Sequence, residues 1–179
     1  MQRLFVGIAL PNLITQHLSM LTGGVPGARW QRPDQIHLTL RFIGDVDGAA
    51  AEDARAVLSK TKTAQFDLQL EGVGYFGEGR RVRALWFVVT QNAALVVLKG
   101  KVERALVEAG FAPDSRKFKP HVTVARMGHA NHERVAQFLE SYALFCSSAW
   151  HVDAFHLYSS QLSPNGSLYQ IEDSYDLAL

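Results

Sequence analysis

The tetrapeptide His37-Leu38-Thr39-Leu40 occurs a second time, 84 residues later, as His121-Val122-Thr123-Val124. In both copies a glycine follows the histidine by seven positions, and an apolar residue precedes that glycine. The shared pattern is His-apolar-Thr-apolar-x-x-apolar-Gly. Random placement of the histidines and threonines of this chain would give roughly 0.3 His-x-Thr triplets. The matched pair therefore indicates a functional motif that occurs once in each half of the chain.

Both copies alternate polar and apolar residues, which is typical of a β-strand with one buried face. Because residues i and i+2 of a strand share a face, His37 and Thr39 are predicted to point to one side. Leu38, Leu40 and Phe42 are then expected in the core. The second copy repeats this arrangement. If the two strands pack about a pseudo-twofold axis, two imidazoles and two hydroxyls converge on one cleft.

The rest of the chain predicts further strands and helices in both halves. Periodicity and turn residues predict strands at 3–10, 29–32, 35–43, 66–70, 84–90, 120–127, 149–159 and 167–176, and helices after residue 11 and at 48–62, 92–110 and 132–144. The glycine-rich residues 72–79 are predicted to form a loop, and residues 162–166 a tight turn. Together these elements indicate an α+β fold: a bilobal duplicated unit with two mainly antiparallel sheets facing a central cleft and helices outside.

The composition is that of an ordinary globular protein, with 47% apolar residues, 20% charged residues and a formal net charge of +1. We expect a single domain over residues 1–179. The small net charge argues against a long nucleic-acid footprint, although a nucleic-acid terminus could still be bound. The one cysteine, Cys146, excludes an intramolecular disulfide and favours the cytoplasm. The apolar run 4–10 is too short to span a membrane, so no membrane partner is expected.

Two imidazoles facing one centre are typical of general acid–base catalysis. Threonine hydroxyls and cationic side chains would hold a charged group between them. A phosphodiester fits, because its hydrolysis needs in-line attack and protonation of the leaving oxygen. Arg126 is the strongest cationic candidate. Strict alternation puts it on the face opposite His121, so a bulge or twist is required. Arg41 shares the face of His37 by alternation, and the alternative is that it is a surface residue.

Two further groups could contact a nucleic acid. The basic cluster Arg80-Arg81-x-Arg83 is interpreted as a solvated hairpin edge, with a phosphate-contacting rim as the alternative. Trp30, Trp86 and Trp150 are interpreted as core residues, and base stacking by Trp30, just before the first motif strand, is the alternative.

The other histidines are predicted to be structural. His129 and His132 have no further ligand residue at metal-like spacing, so they are placed in a loop and at a helix start. No functional role is expected for His17, His151 or His156.

The two motifs resemble the paired HxTx motifs of the two-histidine phosphoesterase superfamily. More narrowly, the chain resembles the bacterial and archaeal RNA 2′,3′-cyclic phosphodiesterases, historically called 2′-5′ RNA ligases. The similar stretches are residues 3–11, 36–44, 118–126 and 157–166, so the resemblance covers essentially the full length.

The resemblance implies a bilobal α+β fold and hydrolysis of a terminal 2′,3′-cyclic phosphate to a 2′-phosphate, without a metal or other cofactor. Carried over by position, His37 is the proton donor to the departing 3′ oxygen, and His121 is the base that activates water. Thr39, Thr123 and Arg126 hold the phosphate. The expected partner is an RNA or oligonucleotide terminus with a 2′,3′-cyclic phosphate, and we expect a monomer.

Two alternatives stay open at the level of the sequence. The first is a phosphodiesterase or reversible ligase acting on 2′-5′-linked RNA or other 2′-phosphate esters, for which the motifs would look the same. The second is a non-catalytic module that binds RNA ends. The two histidines argue against the second, because phosphate capture alone would be better served by Arg or Lys.

Overall fold

The computed structural model describes residues 1–78, 81–129, 131–164 and 166–178. The strands in these ranges are β1 (Gln2–Ala9), β2 (Arg29–Trp30), β3 (His37–Val46), β4 (Phe66–Leu68), β5 (Leu70–Glu78), β6 (Arg81–Val89), β7 (His121–Arg126), β8 (Trp150–Val152), β9 (Ala154–Ser163) and β10 (Gly166–Asp176). The helices are α1 (Asn12–Met20), α2 (Gly48–Leu58), α3 (Ala93–Glu108), α4 (His132–Ser141) and a 3-10 turn at Pro33–Gln35.

Hydrogen bonds join most of the strands into one large antiparallel sheet. Its order is β10-β9-β1-β3-β7-β6-β5, and β2 pairs with β7 outside this path. Strands β4 and β8 form a separate two-stranded sheet. The predicted α+β class with mainly antiparallel pairing is confirmed.

Strands β3 and β7 carry the two motifs and lie side by side, paired at Leu38 and Val122. Both of these side chains are fully buried. This pair joins two sets of strands, β10-β9-β1-β3 and β7-β6-β5, which correspond to the two predicted sheets. The predicted turn at 162–166 connects β9 to β10, and Asn165 within it lies outside the described residues. The two motif strands are thus neighbours in space although they are far apart in the chain.

Helices α2 and α3 cover part of this sheet, since α2 contacts β1 and α3 contacts β3. The side chains of Asp47 and Asn92 accept hydrogen bonds from backbone N–H groups three residues later, at 2.9 and 3.0 Å. These caps fix where the two helices begin. Helix α2 ends at Leu58, before the predicted residue 62, because the N–H groups of Lys60 and Thr61 bond three residues back in a tighter turn.

The glycine-rich segment predicted to be a loop is a strand, β5. Its Gly74 lies against the ring of Trp86 on β6: a Cβ atom at Gly74 would come within 2.4 Å of that ring. Gly72 has a φ of +74°, which few other residues adopt. These glycines therefore serve close approach and backbone conformation within a strand. Gly79 lies outside the described residues.

Each motif strand contains a β-bulge at the same point of the repeat. The pairing of β1 with β3 skips Leu40, and the pairing of β6 with β7 skips Val124. A bulge reverses the alternation of side chains beyond it. Phe42, which was predicted to lie in the core, is therefore 45% exposed. The bulge that Arg126 required is present.

Candidate active site

One cavity of about 800 Å³ lies over the motif strands. His37, Thr39, His121, Thr123 and Arg126 all line it. The structure therefore brings together the five side chains that the sequence selected.

The two imidazoles are held in the same way. His37 Nδ1 lies 2.8 Å from the carbonyl oxygen of Gln35, and His121 Nδ1 lies 2.6 Å from that of Lys119. A carbonyl oxygen can only accept, so in each ring Nδ1–H donates. Each neutral ring therefore has an unprotonated Nε2 whose lone pair can take a proton. The contact repeats with the motif, because each carbonyl belongs to the residue two positions before the histidine.

Aromatic side chains pack against both imidazoles. Ring centroids lie 4.7 Å (Phe5) and 5.0 Å (Tyr169) from that of His37, and 4.7 Å (Phe76) and 5.7 Å (Trp86) from that of His121. Sequence analysis missed Phe76 and Tyr169 as cavity residues. Phe76 lies in the segment predicted to be a loop, and Tyr169 reaches the cavity from the last strand, so no local pattern marked either one.

Burial of the rings changes their basicity. Burial is the main cause that lowers the pKa of His37 from 6.5 to about 4; the charge of Arg126 acts in the same direction, and the hydrogen bond to Gln35 opposes the shift. Burial also lowers the pKa of His121, and the charges of Arg126 and Lys119 act in the same direction. Both imidazoles of the free protein are therefore neutral near neutral pH.

The two bulges present different side chains at equivalent points of the repeat. Phe42 follows the first bulge and Arg126 follows the second, and both line the cavity. Arg126 brings a positive charge close enough to act on both imidazoles, whereas Phe42 brings an apolar ring. The near-symmetry of the motifs ends at this pair, because one repeat places an aromatic ring where the other places a cation.

Arg41 is neither a surface residue nor a free cation. Its side chain is 7% exposed, and its Nε lies 2.8 Å from a carboxylate oxygen of Glu103 on α3. Its guanidinium also donates to the backbone carbonyls of Phe42 and Ala112. The bulge at Leu40 turns Arg41 toward these partners. It connects β3 to α3 and to the segment that follows α3.

Several residues considered from the sequence lie elsewhere. Trp30 packs against Phe138 at 5.5 Å between ring centroids and is not among the residues that line the cavity. Arg81 and Arg83 are exposed on β6, which forms a hairpin with β5. Arg80 of the same basic cluster lies outside the described residues.

The other five histidines do not line the cavity. His151 Nδ1 lies 2.8 Å from Asp67, and His156 Nδ1 lies 2.9 Å from the hydroxyl of Ser174. His132 begins α4, as predicted. In the described ranges, no three His, Cys, Asp or Glu side chains are grouped so that they could hold a metal ion.

This fold and this pair of motifs are those of a known family. The chain belongs to the 2′-5′ RNA ligase superfamily, whose family model matches residues 26–163. A protein of Archaeoglobus fulgidus named RNA 2′,3′-cyclic phosphodiesterase is 30% identical over 94% of this chain and 96% of its own. A protein of the same name from Aeropyrum pernix is 32% identical over 82% of this chain and 84% of its own.

A solved structure shares the fold. The crystal structure of E. coli LigT complexed with 3′-AMP superposes with a TM-score of 0.80 at 22% identity, over 99% of both chains. As for a membrane, no helix within the described residues combines the length and the apolar character needed to cross one.

Proposed function

We propose that this protein hydrolyses the 2′,3′-cyclic phosphate at the end of an RNA or oligonucleotide to a 2′-phosphate. The observation that carries the proposal is a pair of imidazoles that line one cavity. In each ring Nδ1 is hydrogen-bonded to a backbone carbonyl, and Nε2 is available for proton transfer. Family membership supports it, since the relatives from A. fulgidus and A. pernix are named for this activity. The ligand of the E. coli structure, 3′-AMP, is likewise a nucleotide with a phosphate on its ribose.

The two histidines have opposite proton roles. His121 Nε2 takes a proton from a water molecule as its oxygen attacks phosphorus. The bond between phosphorus and O3′ breaks, and His37 Nε2 gives a proton to O3′. The products are a 2′-phosphate and a free 3′ hydroxyl. His121 ends protonated and His37 neutral, so one exchange of protons with solvent restores the pair.

Three side chains hold the phosphate in this mechanism. The hydroxyls of Thr39 and Thr123 donate to its non-bridging oxygens, and the Arg126 guanidinium neutralises the charge that grows on them during attack. Their place beside the histidines on the cavity wall supports these roles. Each step of the reaction uses side chains of this chain and one water molecule.

His37 must carry a second proton before it can act as an acid. Burial holds its pKa at about 4 in the free protein, so the ring is neutral near neutral pH. A bound phosphate places negative charge beside the ring, and a nearby negative charge raises the pKa of an imidazole. The substrate itself therefore promotes protonation of the group that cleaves it.

A product assay tests the reaction. RNA ending in a 2′,3′-cyclic phosphate is incubated with the protein, with and without a chelator, and the 2′- and 3′-phosphate products are separated. We expect 2′-phosphate in both samples. His37→Ala and His121→Ala should each lower kcat by about 10²- to 10⁴-fold, because each removes one proton transfer.

The matched control is His132→Ala, which removes an exposed histidine at the start of α4, outside the cavity. It should keep the wild-type rate. Near wild-type turnover by either cavity variant, with its fold intact by circular dichroism, would contradict the paired mechanism. Binding of the RNA end without any turnover by the wild-type protein would favour a binding module instead.

We further propose that the protein works as a cytoplasmic monomer with a single domain over residues 1–179. One continuous sheet joins strands from both halves of the chain, and all five side chains of the site come from one copy. The one cysteine, Cys146, is exposed, which suits a reducing compartment. Size-exclusion chromatography with light scattering measures the molar mass in solution and tests whether the protein is a monomer.

A further inference from the structure

The cavity wall is strongly basic although the formal net charge of the chain is only +1. Six cationic side chains line it, and Asp114 is the one carboxylate among the described lining residues. The six are Arg41, Lys99, Arg116, Lys117, Lys119 and Arg126. The cavity wall therefore carries more cationic side chains than the reaction at a single phosphate needs.

Half of these cations are paired with carboxylates of the protein itself. Arg41 and Lys99 lie 2.8 and 2.6 Å from the carboxylate of Glu103. Arg116 and Asp114 form an ion pair at 2.9 Å. Each of these three side chains already has a carboxylate partner, although three cations share two carboxylates and the set keeps a net charge of +1.

The other three cations form no ion pair with any described residue. Arg126 serves the reacting phosphate in the proposed mechanism. Lys117 and Lys119 lie on the segment between α3 and β7 whose residues 116–120 form one continuous stretch of the cavity wall, which we call the basic link. Their charges are available for a second anionic group.

The basic link lies beside aromatic rings. Lys119 Nζ is 4.5 Å from the ring centroid of Trp86, so this ammonium is held over the ring. The guanidinium of Arg116 lies 5.9 Å from the ring centroid of Phe42. Lys117 stands between them in the sequence, and its side chain is exposed. Cations that follow a backbone, together with a ring on which a base can stack, are typical of single-stranded nucleic-acid sites.

The chemistry of the substrate determines on which side of the terminal nucleotide a second phosphate lies. A 2′,3′-cyclic phosphate stands at the 3′ end of an RNA, so every other phosphate of that strand lies on its 5′ side. A cavity of about 800 Å³ is large enough for a whole small-molecule ligand, and one phosphate fills only part of it.

We propose that the basic link binds the phosphate on the 5′ side of the terminal nucleotide, with Lys117 as its principal contact and Phe42 as a stacking surface for a base. This assignment rests on the proposed function and specifies its substrate class. The preferred substrate is then an oligonucleotide, and a cyclic mononucleotide without a 5′ phosphate is a poorer one.

Three substrates separate the contribution of the 5′ phosphate from that of the further nucleotides. They are a nucleoside 2′,3′-cyclic phosphate, the same nucleotide with a 5′ phosphate, and a trinucleotide ending in the cyclic phosphate. We expect kcat/KM to rise about 5- to 10-fold when the 5′ phosphate is added. The trinucleotide should gain at least as much. Lys117→Gln should remove most of the gain from the 5′ phosphate and reduce the slope of log kcat/KM against log salt for the trinucleotide by about 0.7.

Lys60→Gln is the matched control, because it removes the same charge from an exposed lysine after α2 that does not line the cavity. It should keep the wild-type preference and slope. Equal kcat/KM for all three substrates, or equal effects of the two variants, would overturn the assignment. Failure of the proposed function looks different, since none of the three cyclic phosphates would then be opened.

Discussion

Both candidate catalytic histidines are oriented by a backbone carbonyl. A carboxylate at Nδ1 would fix the same tautomer but would also stabilise the protonated ring. The carbonyls of Gln35 and Lys119 fix the tautomer without adding a full negative charge, so the pKa of each buried ring stays low. Any residue type can supply a carbonyl. The sequence therefore predicted the histidines but contained no sign of what orients them.

Addition of a single Cβ atom at Gly74 is predicted to affect both stability and activity. A Cβ atom there would lie 2.4 to 2.8 Å from carbons of the Trp86 ring, and Trp86 packs against His121 with centroids 5.7 Å apart. We expect Gly74→Ala to lower the free energy of unfolding by about 1–3 kcal/mol through overpacking. It should also reduce kcat, because the displaced ring no longer supports the imidazole. Urea unfolding and the product assay measure the two effects.

Gly100→Ala separates this steric effect from the general effect of replacing a glycine. Gly100 lies within α3, and a Cβ atom there would meet nothing within 4 Å. In a helix this change should raise the free energy of unfolding by about 0.5–1 kcal/mol. Equal stability of Gly74→Ala and the wild-type protein would show that Trp86 can move without cost.

At the scale of elements, the two β-bulges decide which side chains reach the cavity. Alternation alone correctly predicted the faces of His37 and His121, but it holds only up to the bulge. Sequence reasoning required a bulge for Arg126 because its charge had an evident use. Strict alternation placed Phe42 in the core, and this predicted burial is wrong. A bulge depends on the pairing strand as well as on its own residues, so local periodicity could not locate it.

Arg126 owes its place to the second bulge, and its charge acts on both imidazoles. Arg126→Met should lower kcat/KM by about 10²- to 10³-fold, because the variant loses the cation that stabilises the negative charge on the phosphate oxygens in the transition state. It should also raise the pKa of both histidines in the free protein, although burial will still hold each pKa below its ordinary value. Titration of the histidine ring signals by NMR measures this shift independently of activity.

Arg29 provides the control for that variant. It pairs with Arg126 across β2 and β7, it is exposed, and it does not line the cavity. Arg29→Met should leave both the rate and the histidine titrations close to wild type. If the two variants shift the titrations equally, the effect of Arg126 is one of general charge and not of its position.

At the scale of the whole molecule, the cavity depends on pairings between distant parts of the chain. The repeat predicted two related sets of strands. It did not predict that the C-terminal hairpin β9–β10 would complete the first set by pairing with β1, because long-range pairing is not contained in local periodicity. Through this pairing Tyr169 reaches His37 from the last strand.

This architecture buries a titratable ring, so global stability must depend on pH. The pKa of His37 is about 4 in the folded protein, against an ordinary value of 6.5. Between these two values the unfolded chain binds more protons at this residue than the folded chain does. Stability is therefore fully present above the unfolded pKa and is lost as the pH falls toward the folded pKa. For His37 alone the loss amounts to at most about 3.5 kcal/mol.

Urea unfolding of the wild-type protein and His37→Asn at about pH 7, 5.5 and 4 measures this contribution. Asparagine keeps an N–H donor for the carbonyl of Gln35 but cannot be protonated. The wild-type protein should lose more stability than the variant between the first and last pH, and the difference between the two losses should approach about 2–3 kcal/mol. His132→Asn, which replaces an exposed histidine, should follow the wild-type curve. If His37→Asn follows it too, the ring is hydrated in the folded state, and substrate-induced protonation would no longer be needed to explain how His37 acts as an acid.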